Sequence, residues 1–138
     1  MVRYFIDFEV HPNPPKVGEV AYWDGEAFVV GPGEPFKPLT VEAGEATWDC
    51  EQGLCRKLSR DDNFTLNINN LKNGMMGHFI LTVGDIKPGL NITLNIQGDP
   101  TIKGYGFLND LRSATYHICW VYDGDIFSFN TAMYLENE

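Results

Sequence analysis

Acidic side chains at two Asp-Gly turns are the first residues whose types and spacing could do chemistry. Asp24 with Glu26, and Asp123 with Asp125, flank a glycine between apolar runs. Calcium takes six to eight oxygen ligands, and neither turn has the ligand spacing of a complete calcium loop. We therefore expect solvated turn carboxylates and no cofactor. Calcium at either turn is the alternative.

The three cysteines are the next candidates. Cys50 and Cys55 are separated by the bendable segment EQGL, so a local disulfide is the alternative to free thiols. Zinc would need further Cys or His ligands at compatible spacing, but the histidines are scattered at 11, 78 and 117. We expect free thiols and no metal site. Cys119, in an apolar run, is expected to pack as a small hydrophobic residue.

Sequence signatures of catalysis are missing. None of the three serines lies in a G-x-S-x-G turn, and GDPTIKGYG lacks the spacing of a phosphate-binding loop. We predict that the protein is not an enzyme. A small β-barrel enzyme is the least favoured alternative.

Rows of asparagine and threonine are more distinctive. In two alternating runs these side chains point away from the apolar face, and their amides and hydroxyls suit sugar hydroxyls. An exposed aromatic such as Trp48 or Tyr105 beside them would complete a glycan platform. The alternative is a neutral, solvated sheet face or a subunit interface. The residues of this candidate face for glycan or partner are Thr65, Asn67, Asn69, Asn91, Thr93 and Asn95.

Short alternating runs must position these residues. Alternation predicts strands at residues 2–10, 63–71, 78–83, 90–97, 116–122 and 125–135, and Asp24-Gly25 predicts a tight hairpin within residues 19–30. No convincing amphipathic helix is present, so helical crossovers between parallel strands are not expected. The pattern predicts an all-β, jelly-roll-like antiparallel β-sandwich with an N-terminal strand and hairpin arm.

Composition varies along the chain and suggests three segments. Residues 1–35 are predicted to form the strand and hairpin arm, and residues 63–138 the sandwich. Residues 36–62, rich in charge and containing Cys50 and Cys55, are predicted to be an irregular connector. One continuous domain is the alternative.

The overall charge excludes some partners. The chain of 138 residues has 19 acidic and 10 basic residues, a formal net charge of −9. An acidic chain does not suit phosphate backbones or anionic lipid, and no run approaches the roughly 20 apolar residues of a membrane helix. We expect neither nucleic-acid binding nor membrane insertion. The N-terminal residues lack the pattern of a signal peptide, and we expect synthesis in a reducing cytoplasm.

Three segments follow one another in the C-terminal half: TLNINNLKNGMMGHFILTV, NITLNIQGDP and ATYHICWVYDGDIFSF. Their order resembles that of β-sandwich modules in tailed-bacteriophage virion proteins, and GEVAYWDGEAFV (18–29) resembles hairpins of tail-fibre and head-fibre proteins. Residues 36–62 do not match. The matching positions are Leu66, Ile68, Asn70, Gly74, Gly77, Leu81, Val83, Leu94, Tyr122, Asp123 and Gly124.

This resemblance implies a structural role. Such proteins are head fibres, tail fibres or capsid decorations, commonly homotrimeric, and some attach to a host surface. It implies a protein made in the host cytoplasm and located in the virion, whose partners are its own copies, other virion proteins and host-surface glycan. A carbohydrate-binding module is the alternative function.

Overall fold

The computed structural model describes residues 20–23, 26, 28–31, 33–85 and 89–134. The predicted strand at residues 2–10 lies outside them. The chain divides into two compact units, Met1–Pro35 and Phe36–Glu138.

The first unit contains an antiparallel hairpin, β1 (Val20–Trp23) and β2 (Phe28–Gly31). Trp23 pairs with Phe28, so four residues separate the paired positions, whereas a two-residue turn at Asp24-Gly25 would have joined Trp23 to Glu26. The predicted hairpin is present, with a longer connection than the two-residue turn that Asp-Gly favours.

The described residues of the second unit form ten strands and two short 3₁₀ turns, Cys50–Gln52 and Gly106–Leu108. Six strands form one sheet in the order β10-β12-β11-β8-β6-β3, and four form another in the order β4-β5-β7-β9. Their bounds are β3 (Lys37–Pro38), β4 (Val41–Glu42), β5 (Glu45–Asp49), β6 (Cys55–Arg60), β7 (Phe64–Asn69), β8 (Met76–Val83), β9 (Ile92–Ile96), β10 (Thr101–Lys103), β11 (Ala114–Tyr122) and β12 (Ile126–Tyr134).

Parallel pairing between successive coils makes this unit a β-solenoid. Strands β5, β7 and β9 are parallel neighbours in the four-stranded sheet, and β3, β6 and β8 are parallel neighbours in the six-stranded sheet. The chain therefore alternates between the sheets and stacks each coil on the one before. The predicted antiparallel, jelly-roll-like β-sandwich is wrong.

The prediction of antiparallel pairing failed because of how the parallel strands are connected. Parallel neighbours need a crossover of a dozen or more residues, which in many proteins contains a helix. Here the crossover contains a strand of the opposite sheet: β6 lies between β5 and β7, and β8 lies between β7 and β9. The absence of helical patterns in the sequence therefore did not exclude parallel pairing.

An antiparallel hairpin follows the stacked coils. β11 pairs with β8 and with β12, and β12 also pairs in parallel with the short strand β10. Tyr122 pairs with Phe127, as Trp23 pairs with Phe28, so the two similar segments around Asp-Gly adopt the same pairing. The shared pairing is what two separate hairpins with the same Asp-Gly turn residues would show.

The core lies between the two sheets and follows the predicted alternation. Inward residues of β7, β8 and β11 are buried, as expected for Leu66, Leu81 and Trp120. The indole of Trp48 on β5 packs across the core, with ring centroids 5.7 Å from Phe79 and 5.5 Å from Trp120. Such tilted aromatic pairs add to the stabilisation from burial alone.

Residues 36–62 are not the irregular connector that their composition suggested. They form strands β3 to β6 and contribute Leu39, Ala46, Trp48 and Cys50 to the buried core. The charge of this segment did not reveal that role, because charged side chains can occupy the outward positions between buried ones, as the exposed Glu45 does next to the buried Ala46 on β5.

No helix among the described residues is long and apolar enough to cross a membrane.

Candidate functional site

Most of the predicted polar residues lie together on the outer face of the four-stranded sheet. The parallel register places Thr65 opposite Thr93 and Asn67 opposite Asn95, and Asn69 lies at the end of β7. Asn91 immediately precedes β9. We call these six residues, Thr65, Asn67, Asn69, Asn91, Thr93 and Asn95, the polar face.

Part of the polar face is a ladder of hydrogen bonds between coils. The Asn95 Nδ2 donates to Asn67 Oδ1 at 2.9 Å, and the Asn67 Nδ2 donates to Glu45 Oε1 at 3.4 Å. Because β9 is the edge strand, the ladder ends at Asn95. A side-chain amide offers two donors and an acceptor with two lone pairs, so Asn95 keeps capacity for a ligand.

A second set of bonds joins three successive coils at a corner. Asn70 adopts a positive φ of 58°, which asparagine tolerates better than most residues. Its Nδ2 donates to Asp49 Oδ1 at 2.7 Å, and its backbone amide donates to Gln97 Oε1 at 2.7 Å. These polar residues therefore stabilise the stacking itself.

An open groove of about 380 Å³ adjoins the polar face along β9. Thr93 belongs to both, and Tyr105, which is 51% exposed, also lines the groove. The remaining lining is mostly apolar: Ile92, Leu94, Ile102, Leu108 and Asn109. We call this the Tyr105 groove.

The loop that contributes Tyr105, Leu108 and Asn109 to the groove is anchored to the residues just before β9. Leu90 and Leu111 exchange two backbone hydrogen bonds of 2.9 and 2.8 Å. The Asn91 Oδ1 accepts from the backbone amide of Asp110 at 2.8 Å, so Asn91 holds the loop and is not a free ligand group. A bond from Arg112 is the main reason why the pKa of the Asp110 carboxyl is lowered.

The two aromatic residues proposed for a glycan platform have different environments. Trp48 has no exposed surface, and its Nε1 donates to the carbonyl of Gly53 at 2.9 Å, so it cannot contact a ligand on the outer face. Tyr105 is exposed beside Thr93, as the platform requires. Sequence analysis missed Ile102, Leu108 and Asn109 because they lie in a glycine-rich segment without a clear periodic pattern.

The acidic turn at residues 123–125 is organised by Asp123. Its Oδ1 accepts from the backbone amides of Asp125 at 2.9 Å and Ile126 at 2.7 Å. These bonds lower the pKa of the Asp123 carboxyl, led by the bond from Ile126. The carboxylate thus closes the β11–β12 turn, while Asp24 lies outside the described residues.

No disulfide joins Cys50 to Cys55 in the structure, and Cys119 is also a thiol. Cys50 lies buried at the start of its 3₁₀ turn, and Cys55 lies on the outer face of β6. Burial raises the pKa of the Cys50 thiol to about 12, with a smaller contribution from Asp49.

Cys119 does not pack in the core. It lies on the outer face of β11, half-buried, and its Sγ is 3.3 Å from Nδ1 of the exposed His78 on β8. Alternation alone could have identified this outward position, since Ile118 and Trp120 on either side point inward.

Comparison with known proteins gives no relative: the chain matches no protein-family model, no curated protein and no solved structure.

Proposed function

We propose that this protein is a non-enzymatic structural subunit of a tailed-bacteriophage particle, and that its polar face and Tyr105 groove bind carbohydrate on the host surface. The observation that carries the proposal is the position of Thr93. This residue lies on the same strand face as Asn95, the end of the amide ladder, and it also lines the groove that contains the exposed Tyr105.

The chemistry of this surface suits a sugar. A sugar ring has apolar C–H faces and a rim of hydroxyls that both donate and accept hydrogen bonds. The Tyr105 ring and the apolar lining of the groove can contact such a face. The Thr93 hydroxyl and the Asn95 amide, at the end of the ladder, can bond to the rim. The groove's volume falls within the usual range of small-molecule sites.

The phage part of the proposal rests on the motif order of the sequence. The stacked coils are compatible with it, because a solenoid presents a repeated polar surface on a stiff scaffold. Edge strands such as β4, at the opposite end of the four-stranded sheet from β9, are also sites at which subunits associate. The same architecture without a phage context would be a carbohydrate-binding module.

The binding test compares variants against immobilised bacterial surface polysaccharides and a glycan array. We expect Tyr105→Ala and Asn95→Ala each to weaken binding by roughly tenfold, the loss of about one good contact. Asn130→Ala is the matched control, because Asn130 is exposed on the outer face of the other sheet. Binding that persists in both site variants would overturn the carbohydrate assignment.

The structural role has its own test. Light scattering after size exclusion should give an oligomer, expected to be a trimer, and mass spectrometry should detect the chain in purified particles. A strict monomer absent from particles would contradict the virion role. If that monomer still bound glycan, the carbohydrate-binding module would replace it.

A further inference from the structure

The contact between Cys119 and His78 places two good zinc ligands side by side. They are cross-strand partners in the antiparallel β8–β11 pair, and both point to the outer face of the six-stranded sheet. Their Sγ and Nδ1 atoms are 3.3 Å apart. Zinc bonds of about 2.3 Å to sulfur and 2.1 Å to nitrogen, at a tetrahedral angle, separate such atoms by about 3.6 Å. A few tenths of an ångström therefore separate the present geometry from that of a zinc-bound pair.

The pair has two of the four protein ligands that a structural zinc site requires. Such sites have four protein ligands, and across the described part of the chain no three His, Cys, Asp or Glu side chains are grouped to hold a metal. Cys55 pairs with His78 from the opposite side, two strands away from Cys119. Two strand spacings are about 9.5 Å, too far for both thiolates to reach one zinc ion, whose sulfur ligands lie within about 4 Å of each other.

The surface around the pair favours a second copy of the same chain. Met76 and Val121 are cross-strand partners beside it and are 57% and 43% exposed, which leaves apolar surface for a facing copy to bury. None of the described outward strand positions of this sheet carries Asp or Glu, although the chain has a net charge of −9. Two copies can therefore approach through this face without carboxylate repulsion.

We propose that Cys119 and His78 form a zinc half-site that a second copy completes. Two facing copies related by a two-fold axis would supply two thiolates and two imidazoles to one ion, a Cys₂His₂ set. Each Cys119 thiol would lose its proton on binding. This site shares no residue with the proposed carbohydrate-binding surface, whose polar face lies on the four-stranded sheet.

The test uses the full chain, reduced and metal-free, titrated with Zn²⁺ under light scattering. We expect the molar mass of the metal-free protein to double when one zinc ion is added per two chains. A chelator should then restore the original mass. Co²⁺ in place of zinc should give thiolate–cobalt absorption. Cys119→Ser and His78→Ala should abolish both effects. Cys55→Ser, on the same face, is the control that should keep them.

Two other results would overturn the proposal. Cobalt–thiolate absorption at one ion per chain, without a change in mass, would show a site within one chain that recruits a neighbour such as His117. A mass unaffected by zinc, with no thiolate absorption, would show that the pair binds no metal. Circular dichroism of each variant establishes that it is folded before either result is interpreted.

Discussion

At the scale of single residues, Gly77 is fixed by the indole of Trp120. Gly77 is buried on β8 opposite Trp120, and a Cβ there would overlap the atoms Cε2, Cζ2 and Nε1 of the indole. Trp120 is itself buried and packed against Trp48 and Phe127, so it cannot move aside cheaply. Position 77 of the strand therefore requires a residue without a Cβ atom.

We therefore expect Gly77→Ala to lower the free energy of unfolding by about 1–3 kcal/mol, the usual cost of overpacking. Gly106→Ala is the control, because a Cβ at Gly106 meets nothing within 4 Å. Chemical denaturation of both variants measures the difference. Equal free energies of unfolding for the two variants would show that the core rearranges around Trp120 at little cost.

The buried thiol of Cys50 makes a second prediction at this scale. Its pKa is raised from 9.0 to about 12, so in the pH range between these values the folded state retains a proton that the unfolded state releases. Stability should therefore fall as pH rises from 9 to 12, by about 1 kcal/mol per pH unit from this group. The slope of unfolding free energy against pH should be less negative in Cys50→Ala. Identical slopes would contradict the raised pKa.

At the scale of elements, the parallel pairing of β7 and β9 distinguishes the solenoid from a sandwich. Thr65 and Thr93 are cross-strand partners on the outer face. Their strands are about 4.8 Å apart, within the range that a disulfide can bridge. We expect Thr65→Cys with Thr93→Cys to form a disulfide under mild oxidation, in a background of Cys55→Ser and Cys119→Ser.

The control pair is Thr65→Cys with Gln97→Cys. An antiparallel register centred on Asn67 and Asn95 would place these two positions opposite each other, whereas the parallel register does not. Thiol counting and intact mass measure both pairs. A bridge in the control pair and none in the test pair would refute the parallel assignment.

At the scale of the whole molecule, the described buried hydrophobic residues all lie between Leu39 and Phe127. The second unit, 36–138, thus contains this core, including Trp48 and Trp120. We expect residues 36–138 alone to unfold in one cooperative transition, with the blue-shifted tryptophan emission of buried indoles. A fragment with an unfolded spectrum would show that residues 1–35 are needed for the core to form.

The sequence by itself determined which residues of the core strands face inward. A β-strand points alternate side chains to opposite faces, so Phe64, Leu66 and Ile68 could be assigned to the core without knowing their neighbours. The same local rule applies to His78 and His117, which alternate with buried residues and are exposed. It also put the polar residues on the outward side, where Thr65, Asn67, Thr93 and Asn95 are found.

Tertiary structure decided which strands are neighbours and in which direction they run. Alternation has the same period in parallel and antiparallel strands, so it carries no information about pairing. The tertiary structure alone placed Asn67 beside Asn95, brought Tyr105 and Thr93 to one groove, and set Cys119 against His78. It also buried Trp48 from a segment whose charge suggested a connector. These relations depend on long-range contacts between coils, which no local sequence pattern specifies.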